Sequence, residues 1–146
     1  MGHMSDERAT VQRSFRLSRR TIDLLDAAAT ASQTESRNAM ADRLLGEALR
    51  LEPHPLIRFQ AGSAGRRQPV VAGTRLYVHQ VMSTIRSSGG DIDEAAEYLG
   101  LAPRLVRSAL EYYAEFPEEV DDDAAVAEQI ERREHARWER QQRALA

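Results

Sequence analysis

The sequence predicts a mainly helical protein with short β segments: a strand-helix-helix module, then a β-hairpin with three helices, then a helical tail. Three observations carry this prediction. Apolar residues recur at helical spacing in a series of stretches. Glycine, proline and small polar residues punctuate the gaps between those stretches. Strand-like patterns are confined to three short segments near residues 10–17, 54–59 and 69–78.

The first segment is Thr-Val-Gln-Arg-Ser-Phe-Arg-Leu, from Thr10 to Leu17. Its alternation puts Val11, Phe15 and Leu17 on one face, with Arg13 sharing their parity, and Gln12, Ser14 and Arg16 on the other. Residues 8–20 hold Arg8, Arg13, Arg16, Arg19 and Arg20 and no acid, in a chain of net charge −3. A lone strand is not stable in water, so this one requires a partner. A copy of itself would make a two-stranded ribbon of a size that enters the DNA major groove.

Ser18 reads as the N-cap of a helix running from Arg19 to about Ser32, with Ile22, Leu25 and Ala29 on its apolar face. After the polar break Ser32-Gln33-Thr34-Glu35, Ser36 caps a second helix carrying Met40, Leu44, Ala48 and Leu51. Pro53 and Pro55 stop it. Roughly forty residues hold too little core to fold alone.

Between Thr10 and Leu51 the chain resembles the ribbon-helix-helix repressors of the Arc and MetJ type. The resemblance rests on Phe-Arg-Leu-Ser, an apolar helix, a polar turn, Ser-Arg-Asn and a second apolar helix. It implies an antiparallel pairing of strands from two chains, with Gln12, Ser14 and Arg16 reading bases. Arg16 has the fork that matches guanine, and Gln12 the amide that matches adenine. Ser36, Arg37 and Asn38 fall where the second helix would bind phosphate. Arg13 departs from the pattern, since an apolar residue is more usual at its parity, and is assigned to phosphate. The competing reading of the same residues is an edge strand with a solvated arginine face, its helices packed on the later segment.

Residues 54–59 then read as a short strand, Gly62-Ser63-Ala64-Gly65-Arg66-Arg67 as a loop, and 69–78 as two strands joined at Gly73. Helices are predicted over Val78–Ser87, Ile92–Leu99 and Arg104 to about Phe116, separated by Gly89-Gly90 and by Gly100-Leu101-Ala102-Pro103. The stretch from Ala95 to Val106 has helix-turn-helix grammar, with Gly100 at the turn and Leu101 and Val106 locking the helices. Pro69, Val70, Gly73, Thr74, Arg75 and Val78, with the helix-turn-helix stretch through Tyr112, resemble a small family of bacterial antitoxin domains encoded beside PIN-like ribonuclease toxins. The resemblance implies a toxin-binding role and does not say which residues make the contact. Arg104, Arg107 and Ser108 could instead face a DNA groove, but the segment 61–116 carries six arginines and six acids and so no net charge.

In the tail, Pro117 and Asp121-Asp122-Asp123 are expected to break the preceding helix, with Asp123 capping a new one to about Ala144. Glu128–Arg132 and Glu139–Arg143 have the favourable acid-first i, i+4 order. The apolar stripe is thin, anchored by Val126, Ile130, Trp138 and Leu145. Such a helix suits a partner's groove, or else packs back on the preceding segment. The candidate toxin contacts are Tyr112, Tyr113, Phe116, Val126, Ile130 and Trp138.

Composition excludes other classes. Cysteine is absent, so there are no disulfides or thiolate metal sites, which suits a cytoplasmic location. No apolar run has the length of a membrane span, and no signal-peptide core is present. His54, His79 and His135 lack ligand spacing, so no metal site is expected. No catalytic constellation or nucleotide loop is recognisable, and no cofactor or enzyme activity is expected.

The expected organisation is a cloning remnant at 1–3, a DNA-binding and dimerisation domain at 9–52, a hairpin and three-helix domain at 54–117, and a charged tail at 118–146. The expected function is an antitoxin that represses its own operator as a homodimer, or as a higher-order assembly on DNA, and neutralises a PIN-like toxin. The alternative is a stand-alone transcriptional regulator with two DNA-reading modules and no toxin.

Overall fold

The computed structural model describes residues 9–62 and 65–146. Among them are six helices and one two-stranded antiparallel sheet. In order these are α1 (Arg19–Ala31), α2 (Arg37–Leu51), β1 (Ile57–Ala61), β2 (Arg67–Val71), α3 (Val78–Ser87), α4 (Ile92–Leu99), α5 (Pro103–Glu115) and α6 (Pro117–Leu145). The chain divides into two compact units, 1–45 and 46–146, with the division falling inside α2 rather than after residue 52.

In the first unit, residues 9–17 form neither helix nor strand, and all of them are exposed. The stretch expected to pair as a strand has no pairing partner among the described residues. Ser18 caps α1 as expected, its Oγ accepting the Thr21 N–H at 3.2 Å. Ser36 caps α2 in the same way, accepting from the Ala39 N–H at 3.2 Å. Between the helices Ser32 Oγ accepts the Glu35 N–H at 3.1 Å, which orders the polar turn. Arg37 donates to Asp26 at 2.8 Å, and Arg43 grips Glu35 through Nε at 3.0 Å and Nη2 at 2.9 Å. These polar ties define the helix pair, but apolar burial does not: α1 buries no side chain and α2 only Met40.

The second unit has a core of its own, centred on Val71, Val78, Val81, Val106, Ala109 and Tyr112. β1 and β2 pair in the register Ile57↔Val71, Phe59↔Pro69 and Ala61↔Arg67. This corrects the expected strands at two places. His54–Leu56 are a turn, because the His54 N–H bonds back to Leu51 and the Ile57 N–H to His54, at 2.8 and 3.0 Å. The hairpin also reverses through the 62–66 loop, not at Gly73. Gly73 does turn the chain, with φ of +77°, and Thr74 braces it by donating to the Val71 carbonyl at 2.8 Å and accepting from the Leu76 N–H at 3.0 Å. The returning segment is reduced to a single bridge, Val70↔Tyr77, because α3 starts at Val78.

Helices α3 and α4 have the expected bounds. Asp91 caps α4 by accepting the Glu94 N–H at 3.0 Å, and Gly100 closes it in the left-handed conformation that glycine adopts without strain. Pro103 opens α5, where a missing N–H costs nothing. The larger correction is in the tail. Pro117 is the first residue of α6, and the helix runs unbroken through Asp121-Asp122-Asp123. Val120 joins the core at 1% exposure and Asp123 is buried at 4%. Asp123 is therefore an interior position of the helix, not its cap. Among the described residues no helix is long and apolar enough to cross a membrane.

Candidate nucleic-acid interface and partner surface

Gln12, Ser14 and Arg16 are exposed, and so is Arg13. Their apolar neighbours are equally bare: Val11, Phe15 and Leu17 are 75, 73 and 53% exposed. Ile22 and Leu24 of α1 and Leu44 and Leu45 of α2 are exposed as well. Among the described residues Arg13, Arg16, Arg19 and Arg20 form no ion pair. At the start of α2, Ser36 spends its hydroxyl on capping, Arg37 is tied to Asp26, and Asn38 is exposed.

The residues assigned to a protein partner are placed unevenly. Tyr112 is wholly buried, with its ring 5.0 Å from Phe116 and 5.2 Å from His54, and offers no surface. Its hydroxyl has no hydrogen-bond partner among the described residues. Burial, with the nearby Glu119 carboxylate, pushes its ionisation well above the usual tyrosine range. Tyr113 is half-buried under the Arg86 guanidinium, 5.0 Å from the ring centre, and its hydroxyl donates to Asp121 at 3.3 Å. Phe116, Val126 and Ile130 are half-buried, while Trp138 is 54% exposed and stacks on His135 at 5.9 Å. Glu128 pairs with Arg132 at 3.8 Å, and Glu139 pairs one turn back with His135 at 3.1 Å.

What the residue pattern did not disclose is how α6 is fastened. Three acids in its first two turns reach three different elements. Glu119 accepts two hydrogen bonds from Arg50 at the end of α2, at 3.0 and 2.8 Å. Asp121 lies 4.0 Å from Arg86 of α3. Asp123 accepts from Arg66 Nε at 2.7 Å. Glu115 at the end of α5 adds a contact with buried His54 at 2.7 Å, and Arg67 pairs with Glu47. The only sequence signal was the acid run itself, since partners 35 to 69 residues apart lie outside any helical spacing rule.

His79, in the first turn of α3, stacks on Tyr77 with ring centres 5.7 Å apart. Burial holds its pKa below the usual 6.5, against the opposing pull of Asp123 and Glu131. Burial likewise raises the Asp123 carboxyl above its ordinary value, with Arg66 working the other way. Among the described residues no group of three or more His, Asp or Glu side chains is arranged to hold a metal ion.

No family model matches this chain, and neither a curated protein nor a solved structure matches it.

Proposed function

We propose that the protein is an antitoxin-type autorepressor that binds operator DNA as a homodimer through residues 9–52 and captures a PIN-like toxin through its C-terminal part. One observation carries the reading. Residues 9–45 expose Val11, Phe15, Leu17, Ile22 and Leu24 beside four arginines that form no ion pair among the described residues, and α1 buries nothing. Apolar surface on that scale in so small a unit calls for a partner. A second copy supplies one, pairing the 10–17 segments through backbone hydrogen bonds and leaving Gln12, Ser14 and Arg16 outward.

The partner role of the tail is supported by the exposed Trp138, an aromatic of the kind that dominates binding energy. Tyr112, being a core residue, supports the fold and not the capture.

The test is a gel-shift titration of operator DNA with Arg16→Ala, together with co-purification of the neighbouring gene's product. The expected loss is about 1–3 kcal/mol in operator affinity with the dimer intact. Unchanged affinity removes the base-reading role, and a neighbour that neither binds nor is neutralised removes the toxin role. In that second case the stand-alone regulator becomes the better reading. It draws on the exposed Arg104 and Arg107 at the start of α5, beside the Gly100 turn.

A further inference from the structure

Beyond Glu128, the charges of α6 are segregated around the helix. At about 100° per residue, Arg132, Arg133, Arg137, Arg140 and Arg143 fall within one arc of about 140°. Glu128, Glu131, Glu134 and Glu139 occupy the remaining arc, which adjoins the arginines at Glu139, about 20° around the axis from Arg132. Between residues 129 and 144 the arginine arc otherwise holds only Gln129, Ala136 and Ala144.

Arg132 is paired with Glu128, but among the described residues Arg133, Arg137, Arg140 and Arg143 form no ion pair, and all are exposed. Arg50, Arg66, Arg67 and Arg86 are each tied to a carboxylate, whereas Arg58, Arg75, Arg104 and Arg107 are also without an ion pair among the described residues but are scattered along the chain and not set in one row. Like charges three and four residues apart weaken an isolated helix. A helix that keeps four of them in one row calls for a polyanion.

We propose that this arginine face is a second phosphate-contacting surface for double-stranded DNA, working alongside the N-terminal ribbon. The proposal rests on the DNA-binding reading above. From Arg133 to Arg143 the row is about 15 Å long, which spans about four phosphates of one strand at 3.4 Å each. A straight helix matches a stiff duplex. Single strands are instead gripped by aromatic stacking. The tail's tryptophan lies about 100–160° around the axis from Arg137 and Arg140. An acidic protein surface fits less well, since protein interfaces are built on apolar and aromatic anchors and are depleted of charge at their centre. Glu131 lies opposite the centre of the row, across a helix about 10 Å thick, a distance over which physiological salt screens it, while Glu134 flanks the Arg137 edge and Glu128 and Glu139 the Arg132 and Arg143 edge.

The test compares the full-length protein with Arg133→Gln/Arg137→Gln/Arg140→Gln, measuring affinity for a 30-base-pair duplex DNA over a salt series. Glutamine keeps helix propensity, and circular dichroism verifies the fold. The expected result is a slope of log K against log salt that is smaller by about 2.7, at about 0.9 per lost phosphate contact. Glu131→Gln/Glu134→Gln serves as the control and leaves the slope no shallower. An unchanged slope in the arginine variant overturns the proposal, as does a variant that loses only capture of the co-expressed neighbour, which would mark an acidic protein surface. Either result leaves the operator reading standing if Arg16→Ala still weakens specific binding. A full-length protein with no salt-sensitive DNA affinity overturns both.

Discussion

Asp123 sits inside α6 at 4% exposure with a carboxylate oxygen 2.7 Å from Arg66 Nε, a bond that fastens the long C-terminal helix to the hairpin loop. Removing the arginine strands a buried carboxylate, whereas Asp123→Asn removes the charge itself. Arg66→Ala is expected to lower stability by about 2 kcal/mol, under the about 3–5 kcal/mol of a fully buried pair because Arg66 is 41% exposed. Asp123→Asn is expected to cost less. Urea titrations of the two variants check the order, and a costlier Asp123→Asn would show that the pair itself stabilises the fold.

The same residue and its neighbour His79 give opposite pH dependences. Burial lowers the His79 pKa below 6.5, so on acidification the unfolded chain takes up the proton first. Stability from this group is therefore present above 6.5 and lost as pH falls through that window. The Asp123 carboxyl is raised above 3.8, so its contribution is present below that value and is lost as pH rises from it. Thermal melts across pH 5–7 are expected to show a falling Tm toward the acid end that flattens in His79→Gln. An unchanged profile in that variant would assign the fall to other groups.

Tyr112 carries an unpartnered hydroxyl in the middle of an aromatic cluster. Phenylalanine keeps the ring and removes the desolvated group. Tyr112→Phe is expected to raise stability by about 1 kcal/mol, at the lower end of what an unsatisfied buried polar group costs. A loss of stability in a urea melt would mean the hydroxyl is satisfied by water.

Phe15, 73% exposed in the single chain, separates the monomer from the proposed dimer. In a monomer, truncating it would change stability by no more than about 0.5 kcal/mol. In a dimer it lies between chains, and Phe15→Ala is expected to weaken association by about 3 kcal/mol. Sedimentation equilibrium reads this directly, and an unaltered monomer–dimer equilibrium would place Phe15 outside the interface.

Legibility followed how local each cause was. Helices α3 and α4 could be bounded from sequence because Gly89-Gly90 and Gly100 act within a few residues of where they sit. Ser18 and Ser36 were equally readable as caps. The hairpin was misplaced because Gly73 is a true turn, and only the early start of α3 denies it a second strand. The acid run was misread because aspartate disfavours helix interiors when unpaired. Asp121 and Asp123 lie near Arg86 and Arg66, and those pairings become visible only once the chain has folded back on itself.

α6 is gripped near Glu119, Asp121 and Asp123 and continues for about another 33 Å to Leu145. Mechanically it is a cantilever. A load applied at Trp138 acts about 22 Å beyond Asp123 and arrives at the arginine clamps as torque. Whatever seizes the tip of this helix therefore pulls on the hairpin loop at its base.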